Sequence, residues 1–129
     1  MNADFGTRKS LMYGLSQTAA DNLAFLVGKE ICQVAIGPFD VQFNWGNGGI
    51  SVWTRFAYTP NGMDPIVWNG KDPEAAANTV RLLKAVISGI ECSQTLKLTF
   101  SNGDQLEIFE DERYESFSIQ NGKNPTIIV

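Results

Sequence analysis

Thr95-Leu96-Lys97-Leu98-Thr99-Phe100-Ser101-Asn102-Gly103-Asp104-Gln105-Leu106-Glu107-Ile108 is the stretch whose reading decides the fold. Leu96, Leu98 and Phe100 alternate with Lys97 and Thr99. A period of two places the apolar set on one face of a half-buried strand. Asn102-Gly103 then supplies a dipeptide that tolerates positive φ, the strongest short-range hairpin signal. Leu106 and Ile108 resume the alternation with Glu107 outward. The stretch therefore predicts a hairpin with one buried face.

Working outward, an acidic turn at Glu110–Arg113 leads to a further strand over Tyr114–Ile119, with Phe117 and Ile119 inward. Upstream, Asp72-Pro73 predicts a helix start, because Asp caps well and proline at the first helical position gives up no hydrogen bond. Ala76, Val80 and Leu83 are its expected buried stripe, and Val86–Cys92 the strand that follows. The segment Thr59–Lys71, rich in Pro and Asn-Gly, predicts a linker with at most one short strand. The tail Thr126–Val129 predicts an edge strand.

The first half carries the same order. Thr18 and Asp21 suggest a capping box before a helix over Ala19–Val27, ended by Gly28. Glu30–Ile36 and Val41–Trp45 alternate as strands, Gly46-Asn47-Gly48-Gly49 turns, and Ile50–Tyr58 reads as one long strand. At a spacing of 56 residues, Ala19, Ala20, Asn22, Leu26 and Ile31 fall on Ala75, Ala76, Asn78, Leu82 and Ile87. With a one-residue slip, Val41, Phe43, Trp45, Asn47 and Gly48 fall on Leu96, Leu98, Phe100, Asn102 and Gly103. The expectation is an α+β fold in one domain over 1–129. Two helix-plus-antiparallel-meander units, 17–58 and 73–119, are related by a pseudo-twofold, with the sheets sharing one core. Residues 1–15 show no period and read as a loose arm.

Composition narrows the function. A chain of 129 residues has the length of one domain. A net charge of −4 argues against nucleic acid or an anionic membrane as partner. No apolar run reaches the ~20 residues of a membrane helix, and the polar start lacks the apolar core of a signal peptide. A cytoplasmic location is the expectation. Histidine is absent, which removes the commonest general base. Cys32 and Cys92, each placed beside apolar neighbours, read as reduced, buried thiols; with no histidine, two cysteines cannot supply a four-ligand zinc site without carboxylates.

The sharpest feature is the charge of the acidic meander. Asp104, Glu107, Glu110, Asp111, Glu112 and Glu115 stand against the single base Arg113, so the stretch holds −5 and the rest of the chain +1. Three readings stay open: a solvated turn that keeps edges unpaired, a docking surface for a basic protein, and a divalent-cation site, whose spacing is not that of an EF-hand. Trp53 and Arg55 lie opposite the apolar set of their strand. They read either as covered by a helix or as an exposed anchor of the residue types enriched at binding hot spots. The Gly46–Gly49 turn lacks the Lys-Ser/Thr of a phosphate loop and reads as a hairpin turn.

At Leu26-Val27-Gly28-Lys29-Glu30-Ile31, Phe39–Trp45 and Leu96–Ile119 the sequence resembles a loose family of small bacterial proteins. The shared pattern is Leu-x-Leu-x-Phe, an Asn/Asp-Gly turn, a strand and an acidic turn before Tyr-Glu-x-aromatic. Here these are Leu96–Phe100, Ser101-Asn102-Gly103, and Asp111-Glu112-Arg113-Tyr114-Glu115-Ser116-Phe117. Many such proteins look like immunity proteins of polymorphic or contact-dependent toxin systems. The resemblance implies a cytosolic inhibitor of one toxin domain, often a nuclease, with no catalytic residues and no cofactor. On this reading Asp104, Glu107, Glu110, Asp111, Glu112 and Glu115 steer a basic toxin, and Trp53, Arg55 and Tyr114 add contact area. A small-ligand or metal-binding module, or a carboxylate-based enzyme, is the alternative.

Overall fold

The computed structural model describes residues 22–111, 115–124 and 126–129. Ten strands form two five-stranded antiparallel sheets. They are β1 (Gln33–Ile36), β2 (Val41–Trp45), β3 (Gly48–Val52), β4 (Phe56–Thr59), β5 (Ile66–Trp68), β6 (Ile87–Cys92), β7 (Thr95–Phe100), β8 (Gln105–Phe109), β9 (Phe117–Asn121) and β10 (Ile127–Ile128). The first sheet runs β1-β2-β3-β9-β10 and the second β6-β7-β8-β4-β5. One short helix, α1 (Pro73–Ala77), a helical end at 22–23 and the 3-10 segments Ala24–Leu26 and Asn78–Leu82 are the helical parts of the described residues. The molecule is thus mixed but mostly strand, and the expected arm 1–15 and the start of the first helix lie outside the described residues.

The alternation seen in the sequence sets which side chains meet. In the first sheet Val41 faces Val52, and Val52 faces Phe117; Phe43 faces Ile50, and Ile50 faces Ile119. In the second, Leu96 faces Ile108, and Ile108 faces Phe56; Leu98 faces Leu106, and Leu106 faces Tyr58. All of these are buried and belong to one hydrophobic cluster. The Phe43 and Phe56 rings meet edge to face across the two sheets with centroids 5.6 Å apart. Burial of this apolar surface is the main stabilising term.

Each sheet takes two strands from the other half of the chain. The expected long strand Ile50–Tyr58 is broken: β3 ends at Val52 in the first sheet, and β4 begins at Phe56 in the second. Burial still alternates across the break, with Val52 and Phe56 at 0 % exposure, so nothing in the periodicity marks it. After β8 the chain crosses back, and β9 adds to β3.

The segments Lys29–Ile31 and Ala85–Ile87 lie side by side. Gly28 N–H donates to Ile87 O (2.8 Å) and Lys84 N–H to Ile31 O (2.7 Å); Ile31 N–H donates to Ala85 O and Ile87 N–H to Lys29 O, both at 2.9 Å. Glu30 and Val86 form the bridge between them. Gly28 (φ 98°) and Lys84 (φ 72°) both take the left-handed backbone region.

Two local expectations need correction. Asp72 caps α1 as its type predicts, accepting the Glu74 N–H at 2.9 Å, a contact of about 1 kcal/mol. The helix then tightens into the 3-10 segment, whose period of three buries Ala76, Thr79 and Leu82. Val80 and Leu83, expected inside, are 46 % and 44 % exposed. The second correction concerns the Gly-rich turn, which is only Gly46–Asn47, with Gly48 and Gly49 already in β3. There the strand is squeezed between neighbours: a Cβ on Gly48 would collide with the Gln120 carbonyl on β9.

Candidate functional site

Most of the residues singled out in the sequence meet where the two crossing segments pass each other. Trp53 N–H donates to Ser116 O at 2.9 Å, and Phe109 N–H donates to Arg55 O at 3.2 Å. These bonds tie the 53–55 crossing to both ends of the 110–116 crossing. Trp53 is 37 % exposed, so it is not covered on both faces. Arg55 is exposed and lays its guanidinium over the Phe109 ring, 4.3 Å from the centroid. Glu110, Asp111 and Glu115 are half-buried on the longer crossing, and each is engaged with a partner. Asp111 N–H donates to the buried Ser116 hydroxyl at 2.7 Å. Glu112 and Tyr114 lie outside the described residues.

The remaining two carboxylates are elsewhere. Glu107 sits mid-strand on the outer face of β8, between Lys97 and Ala57, and accepts the Thr95 hydroxyl at 2.7 Å. Asp104 is at the far end of the same strand and only 7 % exposed. Its carboxylate accepts the Tyr58 hydroxyl (2.6 Å), the Asn61 N–H (2.8 Å) and the Asn102 amide (3.2 Å). Expected as an outward steering charge, Asp104 instead pins the β7–β8 tip to the β4–β5 loop. The physical reason is that a buried carboxylate must be hydrogen-bonded, and here three donors converge on it. Burial, reinforced by the bond to Asp104, pushes the Tyr58 phenol well above its usual range.

The six acidic residues therefore do not make one patch. One is a buried clamp, one belongs to a strand face, and the described remainder gather at the crossing with Trp53 and Arg55. Sequence reasoning also missed Phe39, which is 75 % exposed in the β1–β2 tip. Its signal was an aromatic directly behind Gly37-Pro38, in step with Val41, Phe43 and Trp45 but in the turn that precedes their strand.

Other features offer little chemistry. Cys32, expected inside, is exposed just before β1, because that edge strand starts only at Gln33; Cys92 is half-buried, and burial raises its thiol pKa. Both are free thiols. An open depression of about 380 Å³ is lined by Glu30, Ile31, Cys32, Leu83 and Lys84 beside the Glu30–Val86 bridge. Among the described residues, no three Cys, Asp or Glu side chains are grouped to hold a metal ion. No helix among them is long and apolar enough to cross a membrane. Comparison with protein-family models, curated proteins and solved structures yields no match in any of the three.

Proposed function

We propose that this chain is a cytosolic immunity protein that neutralises a cognate bacterial toxin, often a nuclease in such systems, by direct protein contact and without catalysis. The observation that carries the reading is the crossing itself. An exposed Trp53 and an exposed Arg55 stand beside the carboxylates of Glu110, Asp111 and Glu115. Aromatic and Arg side chains supply binding energy at interfaces, while fields of one sign speed encounter with an oppositely charged partner. A basic toxin domain fits that combination; a polyanionic nucleic acid does not.

The proposal includes the architecture. Two helix-plus-meander units related by a pseudo-twofold account for the paired hydrogen bonds of Gly28 and Lys84 and for the matching strand orders of the two sheets. The Glu30–Val86 bridge would then lie on the axis.

Affinity purification of the tagged protein from its native cells, followed by mass spectrometry, tests the function. The expected result is one stoichiometric partner that survives a salt wash, ends in a basic domain and poisons cells lacking this protein. Reversing Glu110, Asp111 and Glu112 to Lys should slow association with that partner by about tenfold or more at low salt and flatten its salt dependence. Unchanged association kinetics would remove the acidic crossing from the interface.

A further inference from the structure

The end of the first sheet carries more exposed apolar surface than the fold requires. Across β2 and β3 Val41 faces Val52, so the chain just before Val41 and just after Val52 emerges at the same end. That brings the β1–β2 tip, which carries Phe39, and the chain leaving β3 at Trp53 to one end of the sheet, with Ile36 paired to Val41 on the flank. Their exposures are 75 %, 37 % and 37 %. Carboxylates border them. Asp40 belongs to the same tip, and the bond from Trp53 N–H to Ser116 O brings the acidic crossing alongside.

The corresponding end of the second sheet is built differently. Its tip, between β6 and β7, is the short polar pair Ser93-Gln94. Phe109, which leaves β8 as Trp53 leaves β3, is capped by the Arg55 guanidinium. At that end Phe109 is half-buried beneath the guanidinium. The Phe39–Trp53 end thus leaves more apolar surface in water than the corresponding end of the second sheet.

We infer that Phe39 and Trp53 form the anchor of the partner contact, seating in an apolar recess ringed by Lys and Arg on a basic protein. This rests on the binding-protein reading above and assigns the half of the contact that the carboxylates do not supply. The carboxylate border sets the charge of the occupant: a second copy of this chain would bring like charge against it. The aromatic pair governs how long the complex lasts, and the acidic crossing how fast it forms.

The probe is a random peptide library displayed on phage, selected on the immobilised full-length protein. Enriched peptides should carry Lys or Arg around aliphatic or aromatic residues. They should bind at least tenfold more weakly to a Phe39→Ser/Trp53→Ser variant whose thermal midpoint stays close to that of the parent. Phe39→Ser alone, at the hairpin tip, keeps the comparison readable if the double variant loses the fold. Equal binding to parent and variant overturns the inference, as does enrichment without basic residues or no enrichment at all. A failure of the toxin reading registers separately, as the absence of a neutralised partner in cells, and leaves the peptide result standing.

Discussion

The two crossings use the same backbone device and carry different side chains. Trp53 and Phe109 each leave a third meander strand, and each donates its N–H to a carbonyl of the opposite crossing. One aromatic is left partly in water, while the other lies under a guanidinium. The 53–55 crossing has three residues; the 110–116 crossing has seven and is acidic. The tips differ too. The β7–β8 tip is locked by Asp104, Tyr58 and Asn61, whereas a backbone bond from Gly122 N–H to Asn47 O joins the β2–β3 tip to the β9–β10 turn. Where both halves must bury a strand they agree, and where a loop is free to vary they diverge. That is the usual place for function to collect.

The largest effect should come from unlocking the clamped tip. Asp104→Ala strands a buried phenol and a backbone N–H, and should lower stability by about 3 kcal/mol in denaturant titration. A loss under about 1 kcal/mol would mean that water replaces the carboxylate and that the two tips are equally held. The same clamp predicts a pH dependence. The Tyr58 phenol is held protonated in the folded chain past pH ~10, where it ionises in the unfolded one. Its contribution is therefore complete below pH ~10 and is lost as pH rises through the elevated folded value, at up to about 1.4 kcal/mol per pH unit. Tyr58→Phe should lose that slope. Identical alkaline melting curves for parent and variant would contradict it.

A smaller difference should separate the crossings themselves. The Arg55–Phe109 contact should show a coupling of about 0.5–1 kcal/mol in a double-mutant cycle with Arg55→Ala and Phe109→Ala. A coupling of zero would leave Phe109 as open as Trp53 in energetic terms and erase the contrast. An effect of similar size lies at the paired left-handed positions. Gly28→Ala should cost about 1 kcal/mol, because a side chain there is strained at φ 98°. Lys84→Gly removes the same strain at φ 72° and should be neutral or stabilising by about 0.5 kcal/mol. If both substitutions destabilise equally, the two positions are not equivalent.

The site was legible in pieces. Trp53 and Arg55 stood out because they fell on the polar side of an otherwise apolar strand, and the carboxylates because their charge was concentrated. That Asp104 belongs to a different structure from Glu110 could not be read, since a buried carboxylate and a solvated one look alike until their donors are placed. Cys32 and Val80 misled for a related reason. Periodicity names a face, but a late strand start or a change from α to 3-10 winding shifts which residues occupy it.

By itself the sequence determined the local elements. Period-two alternation, the Asn-Gly turns and the Asp72-Pro73 cap each act over a few residues, so their physics is complete in the stretch that contains them. The recurrence of residues at a spacing of 56 is likewise a property of the string. Only the tertiary structure decided that Ile50–Tyr58 is two strands in two sheets. Alternation requires just that Val52 and Phe56 face an apolar interior, and one core shared by both sheets satisfies it on either side of the break. That exchange of partners brings Trp53 and Arg55 against the acidic crossing, a long-range pairing that no local signal encodes.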